Sequence, residues 1–302
     1  MTVLVIVVTY NGLQLIDKCL QSVAQGASCF QTIVIDNGSE DGTPEHIRHN
    51  FPHVRIVETG TNHGFGKANN IGMKIAINEN VDYIFLLNQD AWVEETTISN
   101  LVAASQRNPD FGILSPVHMN GSGNALDYGF LNYIARARCK DFISGCLLPR
   151  ESPIQDVFEV PFINAALWLI PRRTVETVGG FNPFFFHYGE DRDYANRCRH
   201  FGLKIGFVPS EKGYHGRPQN DSTRKRKHQE RRERLLAMFD PSMPTRTRTV
   251  IFHLIRILAR KTLALRFGDA RELLIELKYL FRHQSEIDRL ADILSKRGPT
   301  FL

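Results

Sequence analysis

The chain is poor in the features that mark secreted, zinc-bound or membrane-spanning proteins. Its five cysteines (Cys19, Cys29, Cys139, Cys146 and Cys198) include no C-x-x-C pair and are odd in number. That fits a reducing cytosol better than a secreted disulfide framework or a zinc site. The opening "MTVLVIVVTYNG" has no basic n-region, and its apolar run is too short for a signal peptide. No later window is apolar for long enough to cross a bilayer. There is no internal repeat, and little excess charge. Against 37 Lys and Arg stand 32 Asp and Glu, leaving +5, and the seven basic and two acidic residues of "RKRKHQERRER" (224–234) account for all of it. The rest is balanced, which argues against a general nucleic-acid-binding surface, and the basic run lacks the interleaved aromatics that stack on single strands. The expectation is a protein made and kept in the cytoplasm.

What is present is a core and a rhythm. With 302 residues, 42% of them hydrophobic, the chain can bury one large domain with an appendage, or two domains. "VLVIVV" (3–8) is a continuous β-branched run, as a strand buried on both faces requires. Leu13, Ile16, Leu20 and Val23 then recur at helical spacing. "TIVIDNG", "VRIVET", "YIFLL" and "FGILSPV" read as further strands, alternating with helices over 43–50, about 65–77 and about 94–105. Such alternation means an α/β protein with a doubly wound, mostly parallel sheet. Residues 1–120 form its first half. The pattern weakens from 121 to about 150, read as loops and short strands. It resumes with strand, helix and Gly-Gly stop over 162–181, then an aromatic loop, helix and strand over 184–209, so 121–220 is a second half. Residues 221–302 form a basic linker and a helical C-terminal extension.

Sheets of this kind bind ligands beyond the carboxyl ends of their strands. Here those ends are "TYNG", "DNGSEDG", "TGTNHGFGKANN" and "NQD". Ordinary turns explain the glycines, but four successive strand ends rich in Asp, Asn and Thr point to a nucleotide site. Asp36 can accept an N–H from a base edge, beside the polar corner of Thr9, Tyr10 and Asn11. The loop opening with Gly64 offers backbone N–H groups and Lys67 to a diphosphate. It fits neither the dinucleotide fingerprint nor the P-loop. Asn88, Gln89 and Asp90 end "YIFLL" on oxygen donors suited to a hard divalent cation or a sugar hydroxyl, although Asp90 in that place would also serve as a helix cap. Trp92 is expected to pack beneath this tip.

Taken in order, "VVTYNG", "VIDNGSEDGT", "NHGFGKANNIG", "LLNQDAWV", "RRTVETVGGFNPFFFHYGEDRDYANRCRHFGLKIGFVP" and "YHG" resemble the family 2 glycosyltransferases, in particular bacterial rhamnosyl- and galactosyl-type enzymes of polysaccharide synthesis. The resemblance covers about residues 3–217. It implies the A-type glycosyltransferase fold and inverting transfer of a hexosyl or deoxyhexosyl group from a UDP- or dTDP-sugar to a glycan or lipid-linked acceptor. Thr9, Tyr10, Asn11 and Asp36 would then seat the nucleoside, and Gly64 to Asn70, with Lys67, would border the base and diphosphate. Asn88, Gln89 and Asp90 match the Asp-x-Asp-like element, with Asp90 and His215 holding Mn or Mg. Asn88 replaces the first acidic position, which leaves fewer carboxylates for the metal. "NAALW" (164–168) stands where relatives often carry an "SGA" stretch, which puts the acceptor-side wall around Asn164 and Trp168 in question.

"GEDRD" supplies a second carboxylate cluster. A single displacement needs the acceptor hydroxyl deprotonated as it attacks. On the resemblance Asp191 is that base, and Glu190 binds the acceptor or holds Asp191. Acidic residues also favour a helix N-terminus, the reading preferred for Asp193, spaced i, i+4 from Arg197. His187, in the aromatic loop, is an acceptor contact or a packing residue. In the extension, "VIFHLIRILARKTLALRF" puts Ile251, Leu254, Ile255 and Leu258 on one stripe, with His253, Arg256 and Arg260 off it. That stripe packs on the catalytic domain or lies on an anionic inner leaflet, and "ARELLIELKYLF", which continues the helical pattern, offers a homodimer contact. Two other classes stay open: a sugar-phosphate nucleotidyltransferase, although "TYNGLQL" lacks the Gly- and Arg-rich loop it needs, and a non-catalytic adaptor using the basic region.

Overall fold

The computed structural model describes residues 1–24, 30–136, 139, 142, 155–217, 225–242 and 247–302. Cys29, Cys146 and Arg224 lie outside the described residues, as do the side chains of 225–228. Met1–Asn220 together with Gly298–Leu302 makes one compact unit, and Asp221–Arg297 makes another.

The first unit begins with β1 (Val3–Thr9), α1 (Ile16–Ala24), β2 (Phe30–Asp36), α2 (Thr43–Asn50), β3 (Arg55–Glu58), α3 (Phe65–Asn78) and β4 (Tyr83–Asn88). These strands lie parallel in the order β3-β2-β1-β4. The continuous apolar run of β1 is explained by the layers on both sides of it. Leu4 and Ile6 face a core shared with Ala68 and Met73 of α3, while Val3, Val5 and Val7 face one shared with Ile16 and Leu20 of α1. Register brings the strand ends level: Thr9 pairs with Asp36, Asp36 with Glu58, and Val8 with Asn88. Helix α1 starts at Ile16, later than the apolar spacing implied, because Leu15 and Ile16 N–H both turn back to the Gly12 carbonyl.

The unit continues through β5 (Ala91–Val93), α4 (Thr97–Arg107), β6 (Phe111–Asn120), α5 (Tyr128–Arg136), β7 (Phe158–Glu159), β8 (Leu167–Pro171), α6 (Arg172–Val178), α7 (Glu190–His200) and β9 (Lys204–His215). The sheet extends as β8-β6-β9-β5, with β8 antiparallel to both β4 and β6. Three features depart from the sequence reading. A helix, α5, occupies part of the stretch read as loops and short strands. The three-residue β5 follows the Asp90 tip. Strand β9 runs on past Pro209 to His215, because its far end pairs with β5 and with the end of β6.

The second unit is helical: α8 (Lys225–Phe239), α9 (Thr247–Leu263) and α10 (Phe267–Leu294). Arg234 of α8 donates two hydrogen bonds, 2.7 and 2.6 Å, to Glu276 of α10, and Thr247 Oγ1 donates one to Asp288 at 2.7 Å. Ile251 and Leu254 are buried and α9 runs along α10. The expected apolar stripe breaks at Ile255, which is exposed. Among the described residues no helix is long and apolar enough to cross a membrane.

Candidate active site

The level strand ends carry a braced polar rim. Thr9 is buried and its Oγ1 donates to Gln89 Oε1 at 2.7 Å, while Tyr10 N–H donates to the same oxygen at 2.9 Å. Gln89 therefore ties β4 to β1. Gly12 lies so close that an added Cβ would stand 2.5 Å from Gln89 Oε1. Asn11 has φ +49° and accepts the Glu40 N–H at 2.9 Å, joining the first corner to the loop after β2. Tyr10 is exposed. Asp36 is buried, with Oδ2 accepting from Gly38 and Ser39 N–H at 3.2 and 3.0 Å, while its Oδ1 has no hydrogen-bond partner. The buried Oδ1 of Asn88 is also without a partner. A buried polar atom left unpaired costs about 1–3 kcal/mol, so two on one rim mark where polar groups of a ligand would be received.

Across β5 and β9 the tip meets a second element. Ala91 pairs with His215, which brings His215 Nε2 to 3.4 Å from Asp90 Oδ1. The buried His215 Nδ1 is another atom without a partner. Burial pushes the Asp90 carboxyl up, but the hydrogen bond and charge of His215, with Arg217 behind, outweigh it and hold the group below its ordinary value. Arg217 is in turn fixed by the fully buried Asp127, donating through Nε at 3.0 Å and Nη2 at 2.6 Å. Beneath lies His118, whose Nε2 is 2.7 Å from Ser115 Oγ and whose ring stacks on Phe130. Burial first, then the charge of His215, push its pKa down to about 3. Asn164 Oδ1 and His118 Nδ1 are further buried atoms without a hydrogen-bond partner. Trp92 packs beside the tip, stacked on Tyr214 with Lys18 Nζ 3.5 Å from its ring centre.

The other wall comes from α7. Gly64 begins α3 at φ +83°, and a Cβ there would fall 2.1 Å from the Phe186 carbonyl oxygen. A Cβ on Gly66 would touch Glu190. The Gly-rich turn and the acidic start of α7 are thus pressed together, with Phe186, His187 and Tyr188 exposed at their junction. Asp193 and Arg197 form a buried pair at 2.9 Å, and Arg197 also holds the Val178 and Gly180 carbonyls. Asp191 is half-buried and accepts the Arg192 N–H at 2.8 Å. Tyr133 of α5 links this wall to the previous group. Its ring packs edge-on to Phe162, over which Arg192 lies, and burial and then the Asp191 charge push its hydroxyl up to about 12. Arg217 and Asp127 act on the same hydroxyl, and Arg217 acts on Asp90. A Cβ on Gly129 would meet Arg217 Nη2, Asp127 Oδ1 and the Tyr133 hydroxyl together, so the pair behind Asp90 adjoins the tyrosine beside the α7 wall.

Two expected contacts take other places. Trp168 is fully buried among Phe181 and Tyr194 in the core, where no acceptor reaches it, because β8 is covered on both faces. Asn70 is buried and spends both ends of its amide on Phe181, accepting its N–H at 2.7 Å and donating to its carbonyl at 2.9 Å. It joins α3 to the approach of α7. Lys67 is exposed on the first turn of α3. Asp127, Tyr133, His118 and Arg217 were not singled out in the sequence. Arg217 lies two residues beyond His215 and was within sight; His118 in β6, Asp127 just before α5 and Tyr133 within α5 fall in stretches that carried no motif. A shallow cavity of about 230 Å³ beside Asp82 and Arg172 lies at the opposite ends of the strands and holds none of these groups.

A divalent cation would find Asp90 and His215 here, and among the described residues no group of three or more His, Cys, Asp or Glu stands together. Two ligands fit a cation that takes the rest of its shell from a bound diphosphate and water.

The family model described as Glycosyl transferase family 2 matches residues 4–154. The chain is 26% identical over 238 residues to the N-acetylglucosaminyl-diphospho-decaprenol L-rhamnosyltransferase of Mycobacterium tuberculosis, covering 70% of this chain and 75% of that one. Among solved structures, the mannosyltransferase PcManGT of Pyrobaculum calidifontis, in complex with GDP-Man and Mn2+, is similar at a TM-score of 0.56 and 19% identity, over 97% of this chain and 86% of that one. S. aureus TarS 1-349 in complex with UDP is similar at 0.54 and 16% identity, over 79% of this chain, which spans 66% of that one. At these identities the structural likeness shows the fold, the A-type glycosyltransferase fold with a helical C-terminal part.

Proposed function

The chain belongs to glycosyl transferase family 2, enzymes that transfer sugars from nucleotide sugars, and on that footing we propose an inverting hexosyl- or deoxyhexosyltransferase in surface-glycan synthesis. The donor is a UDP- or dTDP-sugar and the acceptor a hydroxyl of a glycan or lipid-linked oligosaccharide. Asp36 Oδ1 receives the imide N–H of a pyrimidine. Thr9, Tyr10, Asn11 and Asn88 border the nucleoside, with Gln89 bracing them. Gly64 and Lys67 face the diphosphate. A divalent cation, Mn or Mg, held by Asp90 and His215, would neutralise charge on the diphosphate as it leaves. Arg217, locked by Asp127, adds a fixed positive charge on the same side.

Asp191 takes the proton of the acceptor hydroxyl. The acceptor oxygen bonds to the anomeric carbon while the carbon–oxygen bond to the diphosphate breaks, its electron pair leaving with the diphosphate. Glu190, Asn164 and His187, with the exposed rings of Phe186 and Tyr188, form the acceptor side. The observation that supports this reading most is geometric: His215 Nε2 stands 3.4 Å from Asp90 Oδ1, and Tyr133, whose ring packs on the Phe162 that Arg192 overlies, has its hydroxyl beside Gly129 together with Arg217 Nη2 and Asp127 Oδ1. The lipid-linked acceptor is supported by the name of the mycobacterial relative, and a cation by the Mn2+ in PcManGT. Neither a nucleotidyltransferase nor an adaptor is favoured, since the family match covers the strand ends and not the basic region.

The test pairs transfer with binding. Asp191→Asn abolishes sugar transfer, by about 10²–10⁴-fold for loss of a general base, while nucleotide-diphosphate affinity by calorimetry stays within a few-fold of wild type. Equal loss of both contradicts the base assignment. Chelation removes transfer, and added manganese restores it.

A further inference from the structure

We propose that the turn joining α9 to α10 is a membrane-inserting tip that docks the protein on an anionic bilayer. Leu263, Leu265 and Phe267 are 85%, 73% and 62% exposed there. Helix α9 ends in hydrogen bonds from Ala264 N–H to Arg260 O, Leu265 N–H to Thr262 O and Arg266 N–H to Lys261 O. This closure leaves Leu265 at φ +55°. Glycine is the residue such a closure favours, and a leucine is disfavoured by its Cβ. An exposed leucine recovers nothing by burial, so the fold gives no reason for it. An apolar environment outside the protein does.

Charge names that environment. Over Thr247–Leu263 the helix carries Arg248, Arg256, Arg260 and Lys261 and no acidic residue. Arg266 adds a cation between the exposed apolar side chains. Asp269 lies 2.6 Å from Arg266 and 3.3 Å from Lys261, so it offsets only part of this charge. Apolar side chains at a helix turn, ringed by Arg and Lys, suit the boundary between headgroups and acyl chains of an anionic leaflet. Two copies meeting tip to tip would instead set Arg260, Lys261 and Arg266 against their own kind. The stripe expected on α9 does not supply this surface: Ile251 and Leu254 are buried, and the exposed apolar set lies at the turn.

The experiment is co-sedimentation of the full chain with phosphatidylcholine vesicles, with and without phosphatidylglycerol. Wild type partitions onto the anionic vesicles, less onto phosphatidylcholine alone, and is partly released by salt. Leu263→Ser/Leu265→Ser/Phe267→Ser lowers the partition coefficient at least about tenfold, given the value of burying even one such side chain, and leaves nucleotide-diphosphate binding unchanged. Leu265→Gly separates docking from folding. It suits the turn, so its urea unfolding midpoint equals or exceeds wild type, while its partitioning still falls several-fold. Wild type that ignores anionic vesicles, or variants that bind them as well as wild type does, overturns the proposal. A concentration-dependent dimer lost in Leu265→Gly, without vesicle binding, assigns the tip to a second copy instead.

Discussion

His118 illustrates how a single side chain reports on the site. Its ring is buried against Phe130 and stays neutral down to about pH 3, against an ordinary value of 6.5. Below pH 6.5 the unfolded chain takes up a proton that the folded chain refuses, so stability falls as pH drops from 6.5 toward 3. The slope from this group is at most about 1.4 kcal/mol per pH unit. His118→Gln, which retains a donor near Ser115, flattens the decline; urea unfolding at pH 7 and pH 5 for both proteins measures it. At this scale the sequence offered candidates where a motif held them. Asp90, Asp191 and His215 stood in quotable stretches. Trp168 misled, because β8 is buried on both faces and an aromatic in such a run gives no sign of which side it faces. Asp127 and Tyr133 were silent, since the Arg217 that Asp127 holds is 90 residues away in the chain.

Elements were legible where periodicity was long. The first four strands and α2 and α3 fall within a few residues of the apolar patterns. Helix α5 was missed because it is only nine residues and holds Gly129 in its first turn, so Phe130 and Ile134 made too brief a helical repeat. The three residues of β5 exist through pairing with β9 and have no local signature. The junction of α3 with the loop before α7 yields a prediction at this level. Gly64→Ala combines a positive φ with a Cβ driven into the Phe186 carbonyl. It displaces the 184–188 loop, destabilising the fold by about 1–3 kcal/mol, and lowers transfer more than nucleotide binding. Urea melts with paired transfer and calorimetric assays decide; wild-type transfer in this variant would show that the loop does not serve the acceptor side.

For the molecule as a whole, the basic excess and helical character of the extension were readable, but not its division. The last five residues belong with the first unit, where Gly298 N–H bonds to Thr177 O at 3.0 Å and Gly180 N–H to Thr300 O at 2.8 Å, and Leu302 packs against the core. No periodicity marks "GPTFL", and its partners lie about 120 residues earlier. Deleting Gly298–Leu302 removes two backbone hydrogen bonds and the half-buried side chains of Phe301 and Leu302, and lowers stability by about 2–4 kcal/mol. Because Gly180 lies against Asn70 and Arg197, which position α7, the deletion also lowers transfer. A truncated chain that melts and turns over like wild type would refute this. The same closing segment makes the three helices an insertion within the catalytic module, with seams at 220/221 and 297/298. A chimera that exchanges the helices for another module must therefore be spliced at both seams, since replacement from 221 onward would discard the clasp along with the cargo.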